Sequence, residues 1–323
     1  MRRKFLGMLG SGLAILASGA WPQQNKQIRV GFLSNRYEGV EQFLGAFREG
    51  LASYGYVEGR NLALDVRIGD TTGPELQRLA DELAALRPLA IVAQGPAARF
   101  AVAASASVPI VFGFSGDPIE AGFTSSLGRP DKNMTGMTFL TLDLVGKRIQ
   151  ILKDLLPKLQ RIAVFSYPVH AGERREFAAS TESAQRLGLT VTYHPYHNAS
   201  ELDAGLAAAL AARAEAGVVF PDGLMIRYRD VFARFSVEHR VPLISGWSIF
   251  ADGGNLLSFG PNLIDAWRRV AYYVDRLAQG ARTSDLPIEF PLTVETVLNL
   301  KTAKALRITI PQSIRLLSSR VIE

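Results

Sequence analysis

Cysteine is absent from all 323 residues. Disulfides, thiolate catalysis and cysteine-ligated metals are therefore excluded, and so is a lipid anchored on an N-terminal cysteine. Histidine is scarce, with 4 copies, which limits imidazole chemistry to a few positions. No run of five or more basic residues occurs, and the net charge of +6 falls to +3 once Arg2, Arg3 and Lys4 are set aside. A nucleic-acid partner thus has little support. No phosphate-binding G-x-x-x-x-G-K-[ST] loop is present, and "GFLSNRYEGV", after the first strand-like run, lacks G-x-G-x-x-G. Nor is there a low-complexity tract.

No stretch reaches transmembrane length. The longest apolar run, Phe5–Ala17, covers about 13 residues, short of the ~20 a bilayer requires. It follows Arg2-Arg3-Lys4 and precedes the small residues Ser18-Gly19-Ala20. This is the pattern of an export signal, twin-arginine-like, ending at residue 20. An exported chain without cysteine is expected to be periplasmic, soluble and free of a lipid anchor.

What is present is ample core material: 48% hydrophobic residues, enough for two lobes rather than one. "QIRVGFL" reads as a buried strand, and "GVEQFLGAFREGLASYG" aligns Val40, Phe43, Leu44, Phe47 and Leu51 on one helical face. "NLALDVRIG" alternates as a strand; Pro74 opens a helix; "LAIVAQG", "PAARFAVAASA" and "VPIVFGF" continue β, α, β. The alternation resumes with helices at 142–156, 172–187, 200–214 and 226–239 between "RIAVFSY", "LTVTYH", "AGVVFPD" and "VPLISGW". The seam falls at 133–143, where Thr138 and Phe139 lie. "NLLSFG", an amphipathic helix around Trp267, and a last strand and helix in "ETVLNLKTAKALRI" complete the chain. The expected class is α/β, two doubly wound parallel-sheet lobes.

Ligands of open parallel sheets sit beyond the carboxyl ends of the strands. That rule selects the loops Ser34-Asn35-Arg36-Tyr37, Gln94-Gly95-Pro96, Ser115-Gly116-Asp117-Pro118, Tyr167-Pro168, Pro221-Asp222-Gly223 and Gly246-Trp247-Ser248. Ser115 invites a nucleophile reading. Yet "GFSGD" places the second glycine one residue too early for G-x-S-x-G, and no histidine is expected in a strand-end loop with a carboxylate beside it. In "HPYH", Pro195 breaks helical pairing of His194 with His197, so no metal is expected there. Binding without reaction remains. Ser115 and the N–H groups of the following turn suit a carboxylate. Asp117 can cap that turn, hold a ligand ammonium, or do both; Ser34 is open between cap and ligand contact. Phe43, Phe47, Phe177 and Trp267 fall on helix faces as core. Tyr37, Phe114, Phe139, Tyr167, Trp247 and Phe250 fall at strand ends or hinges, where together they point to an apolar or aromatic ligand.

The segments "FREGLASYGYVEGRNLALDVRIGD", "VPIVFGFSGDPIEAGFTSSLGRPDKNMTGMTFL", "FADGGNLLSFGPNLIDAWRRVAYYVDRLAQG" and "LNLKTAKALRITIP", taken in order, resemble the periplasmic substrate-binding proteins of ABC transporters in the TrpX-like family. The resemblance spans about 28–323. It implies two lobes of the type I periplasmic-binding fold, joined by several crossovers and closing on a small solute by a hinge. It implies an N-terminal lobe of 28–139 plus 261–283 and a C-terminal lobe of 140–260 plus 284–323. It further implies no cofactor, no catalysis, a monomer, an inner-membrane ABC permease as partner, and, from some relatives, an aromatic or apolar amino acid or related carboxylate as solute. Ser34, Asn35, Gln94, Gly95, Ser115 and Asp117-Pro118 stand where the family places cleft loops. "SYPVHAGERREF" departs from it, with Tyr167-Pro168 where an Asn-Pro loop is expected. The competing readings are a secreted serine hydrolase using Ser115 and a ligand-sensing module of a signalling protein.

Overall fold

The computed structural model describes residues 27–37, 39–70, 73–140 and 142–323; the export signal expected over 1–20 lies outside them. Five strands form the first sheet: β1 (Ile28–Asn35), β2 (Leu62–Gly69), β3 (Ala90–Gln94), β4 (Ile110–Phe114) and β5 (Met134–Thr138), in the order β2-β1-β3-β4-β5 and all parallel. Successive side chains of a strand point to opposite faces. Val30 and Phe32 of β1 therefore pack with Phe43, Phe47 and Leu51 of α1 (Val40–Ser53) and with Trp267, while Leu33 packs with Leu76, Leu79 and Leu83 of α2 (Gly73–Ala85) and Ala97, Ala98 and Ala101 of α3 (Ala97–Ala104). With both faces covered, the strands read as continuous apolar runs. β5 occupies the stretch expected to be only a seam. Five residues interrupted by Gly136 carry too little periodicity to announce a strand.

The second sheet has seven strands in the order β12-β11-β10-β9-β8-β6-β7. They are β6 (Arg161–Ser166), β7 (Thr190–Pro195), β8 (Ala216–Val219), β9 (Leu243–Ser245), β10 (Leu257–Pro261), β11 (Val294–Asn299) and β12 (Arg320–Ile322). Helices α4 (Asp143–Leu155) and α5 (Glu173–Arg186) cover one face, and α6 (Ala199–Ala211) and α7 (Gly223–His239) the other. The sheet is parallel except that β11 runs antiparallel to β10. α8 (Ser248–Asp252), α10 (Leu300–Leu306) and α11 (Gln312–Leu317) are short connectors; α11 and β12 go beyond the sequence reading, which stops at the α10 helix.

The chain crosses between the sheets three times. After β5 it passes to α4. After β10 it returns as α9 (Leu263–Ala278), which packs on α1 and contributes Trp267, Val270 and Val274 to the first core. Gly50 permits that approach, since a Cβ there would lie 2.4 Å from the Arg268 carbonyl oxygen and 2.8 Å from the Ala271 Cβ. The final crossing is later than the expected 283/284 boundary. Ile288 N donates to Leu127 O (2.8 Å), Glu289 N to Gly136 O (3.0 Å) and Thr138 N to Glu289 O (3.0 Å), so Leu286–Glu289 still runs beside β5. These backbone groups need partners, and the open edge of β5 supplies them.

Candidate functional site

The carboxyl ends of β1, β3 and β4 face those of β6, β8 and β9 across a cavity of about 490 Å³. Its apolar lining comes from both sheets: Phe43, Phe139, Leu263 and Trp267 on one side, Trp247 and Ile226 on the other. Among the candidates named from sequence, Asn35, Tyr37, Gln94, Gly95, Ser115, Phe139, Tyr167, Asp222 and Trp247 line it. Ser34, Gly116, Asp117 and Thr138 stand behind the wall. Phe250 is fully buried in the core, whereas Phe43 and Trp267, expected as core alone, also floor the cavity.

Behind the first wall, Ser34 Oγ donates to Gln94 Oε1 at 2.8 Å, and the Gln94 amide nitrogen donates to the Tyr37 hydroxyl oxygen. That polarity leaves the Tyr37 proton free for the cavity, and burial pushes the Tyr37 pKa well up, so the phenol stays protonated. Thr138 Oγ1 donates to Gly116 O (2.8 Å), bracing the loop after β4.

That loop meets the one after β6, from the opposite sheet. Ser115 Oγ lies 2.8 Å from His170 Nε2, and Asp117 N donates to Ala171 O at 3.0 Å. Gly116 makes the approach possible: a Cβ there would lie 2.7 Å from Ala171 O. The expectation that Ser115 has no histidine partner is thus overturned. His170 sits three residues past Tyr167, in the strand-end loop, and the contact joins residues 55 apart in sequence. No carboxylate among the described residues hydrogen-bonds His170. Burial drives its imidazole down to about 4, leaving it neutral and weakly basic. The neighbouring Asp117 N–H, which could have served an oxyanion, is spent on Ala171. The two contacts tie the loops together.

Asp117 is also not placed to take a ligand ammonium. Its Oδ1 accepts from Ile119 N (2.8 Å) and Glu120 N (3.3 Å), and its Oδ2 pairs with Arg175 of α5. Capping was legible in Asp-Pro; Arg175, on the other sheet's helix, was not.

The carboxylate that does reach the cavity is Asp222. It is 2% exposed, caps α7 by accepting from Met225 N at 2.6 Å, and has no cation within ion-pair distance among the described residues. Behind it Glu176 pairs with the buried Arg148 (Nη1–Oε1 3.0 Å), and Glu173 accepts from Ser166 Oγ (2.8 Å) and Tyr193 Oη (2.7 Å). Burial pushes the carboxyls of Asp222 and Glu176 each up to about 7, Arg148 partly offsetting the effect at Glu176. On the rim stand Arg36, of a loop selected from sequence, His197, weighed there only as a metal ligand, and Arg99 and Arg227, which sequence reasoning had not singled out.

His194 Nε2 lies 2.8 Å from Thr192 Oγ1 and His197 Nδ1 lies 2.7 Å from Glu201 Oε2, so the two do not converge. No group of three or more metal-ligating side chains occurs among the described residues. Among them, too, no helix is long and apolar enough to cross a membrane.

Comparison with known proteins agrees with this architecture. A tyrosine-binding protein of Clostridioides difficile (strain R20291) is 24% identical over 266 residues, covering 80% of this chain and 75% of the relative. A Streptococcus pneumonia ABC domain solved in complex with L-Trp superposes with a TM-score of 0.84 at 20% identity, covering 92% of this chain and all of that one. A conserved domain protein of Vibrio cholerae gives the same TM-score, 0.84, at 21% identity and the same coverage. The fold is thus that of the type I periplasmic-binding proteins. The model of the ABC transporter substrate binding proteins matches residues 36–322. The chain belongs to the ABC transporter substrate binding protein family.

Proposed function

We propose that the chain is an exported, periplasmic, monomeric receptor that captures an aromatic or apolar amino acid, or a related carboxylate, and delivers it to an ABC permease in the inner membrane. The observation that carries this reading is the cavity of about 490 Å³ floored by Phe43, Phe139, Trp247 and Trp267, aromatic residues contributed by both sheets. A mostly apolar site suits a small solute with an apolar body. The relatives named for tyrosine binding and solved with L-Trp support the same solute class. The N-terminal lobe comprises 28–139 with 261–289, the C-terminal lobe 140–260 with 290–323. Binding free energy goes into closure, so no chemistry is needed.

Asn35, Tyr37, Gln94, Gly95 and Ser115 form the first wall, and Tyr167, Asp222 and Trp247 the second. The Tyr37 hydroxyl and the first N–H groups of α3, which has no side-chain cap, suit the solute carboxylate. Ser34, Gly116 and Thr138 hold these groups in place.

Isothermal titration against aromatic and aliphatic amino acids and their desamino acids tests this. Micromolar or tighter binding of an aromatic amino acid is expected. No binding across the panel sinks the reading. The Ser115–His170 contact is the one observation that favours a secreted hydrolase instead; ester turnover by the wild type that disappears in Ser115→Ala would establish that alternative.

A further inference from the structure

The second wall of the cavity buries more negative than positive charge. Asp222, Glu173 and Glu176 are 2%, 5% and 2% exposed, and the cations buried near them among the described residues are Arg148, at 1%, and Arg229 of α7, at 9%, which donates to Ile226 O (3.0 Å) and pairs with Asp230 (3.6 Å). Arg148 is already committed: its Nη1 binds Glu176 at 3.0 Å and its Nε donates to the Phe259 carbonyl at 2.9 Å. The hydroxyl of Tyr196, after β7, also faces Asp222, with Tyr228 of α7 next to it, and neither carries positive charge. Arg227, exposed on the same helix, makes no ion pair with a described residue. Asp222 thus lines a ligand cavity, lies near the acid Glu176, and has no counter-ion within ion-pair distance among the described residues.

A carboxylate in that position has two ways to avoid standing charged and uncompensated: it keeps a proton, or it receives a cation. An α-amino acid brings such a cation. We propose that Asp222 is the acceptor for the ligand's ammonium group and that its carboxyl releases a proton when that ammonium arrives. The inference rests on the amino-acid reading of the cleft and assigns the ammonium to Asp222 instead of Asp117. The step balances simply. The Asp222 O–H bond breaks, the proton leaves to the buffer, and the carboxylate left behind pairs with the ammonium. Burial, which holds this carboxyl up to about 7, supplies the proton near neutral pH.

The test is calorimetry near neutral pH with L-tyrosine and its desamino acid, 3-(4-hydroxyphenyl)propionate, each in phosphate and in Tris. For the wild type the tyrosine heat is expected to change with the buffer's ionisation enthalpy in the sense of proton release, while the desamino heat does not. Asp222→Asn retains a capping side chain, so the fold should survive; a thermal melt checks this. In that variant the buffer dependence is expected to vanish and tyrosine affinity to drop about 30-fold or more, with the desamino acid changed by less than about 3-fold. Asp117→Asn should weaken both probes alike. A buffer-independent wild-type heat, equal losses in Asp222→Asn, or a tyrosine-selective loss in Asp117→Asn instead overturns the proposal. Binding of the desamino acid without tyrosine also overturns it while leaving the receptor reading intact. If neither probe nor any other amino acid binds, the receptor reading falls first and this proposal with it.

Discussion

Ser115 Oγ and His170 Nε2 meet at 2.8 Å across the cleft, one residue from each lobe, each at the carboxyl end of a strand. A hydrogen bond so placed forms only when the lobes are together. Ser115→Ala and His170→Ala are therefore expected to leave the thermal stability of the ligand-free protein nearly unchanged but to weaken ligand binding by about 5-fold to 10-fold, mainly through faster dissociation. Stopped-flow release kinetics check this. A loss confined to the association rate would mean that the pair does not hold the closed form.

The same pair sets a pH dependence. The imidazole is held down to about 4 against an ordinary 6.5. Opening the cleft or unfolding the chain lets it take a proton. Closed-state stability is thus full above about 6.5 and is lost as pH falls toward about 4. Ligand affinity should decline over that window, and His170→Gln should flatten the part of the decline that Asp222→Asn leaves in place. Titrations of the two variants at stepped pH separate the contributions.

Asp222 has the opposite sign for the empty protein. Its carboxyl rises from 3.8 to about 7, so between those values the folded chain keeps a proton that the unfolded chain has released. Stability of the ligand-free form should fall as pH rises through this range and level off above about 7. At mildly alkaline pH, Asp222→Asn is expected to be more stable than wild type by about 1–3 kcal/mol, read from urea denaturation. A less stable variant at that pH would show that the carboxylate is compensated by some group other than ligand.

Arg148 is the buried partner of Glu176 in that wall, and it also binds the Phe259 carbonyl just before the chain crosses to α9. Arg148→Met leaves Glu176 buried without its partner and should cost about 3–5 kcal/mol in urea unfolding. Glu176→Gln, which keeps a hydrogen-bonding acceptor, should cost less. Equal costs would show that the charge itself is unimportant.

Gly50 is a packing requirement. Any side chain there meets the Arg268 backbone, and Gly50→Ala is expected to destabilise the protein by about 1–3 kcal/mol despite its gain in helix propensity. Because Trp267 rides on the displaced helix, ligand affinity should fall as well. Denaturant midpoints and calorimetry on the same preparation test both.

Much of this fold is written in local pattern. The alternation of Val/Ile-rich runs with helices whose apolar residues share one face needs no tertiary knowledge, and it located nine of the thirteen cleft candidates on the cavity wall. Local pattern fails where partners are distant. The destination of α9 cannot be read from the helix itself, because its apolar stripe of Trp267, Val270 and Val274 would suit either sheet; only the resemblance to a family pointed to the first. β5 and the Leu286–Glu289 segment are held by each other, so neither carries a strong signal alone. Nothing local to His170 or Arg175 announces the partner that the opposing loop brings to it. Asp117 shows the limit most clearly: its capping role is local and was legible, whereas its ion pair depends on a helix 58 residues later.

The interleaving of the two lobes also fixes an order of assembly during synthesis. Residues 27–140 contain every strand of the first sheet, but the face of β1 that packs against α1 is finished only by α9. That helix emerges after five of the second sheet's strands have been made. The second sheet in turn waits for β11 and β12 at the end of the chain. Neither lobe can be completed from its own uninterrupted stretch, so the nascent protein keeps Val30, Phe32, Phe43 and Phe47 without their final cover until translation is nearly over, and the two lobes must reach the native state together.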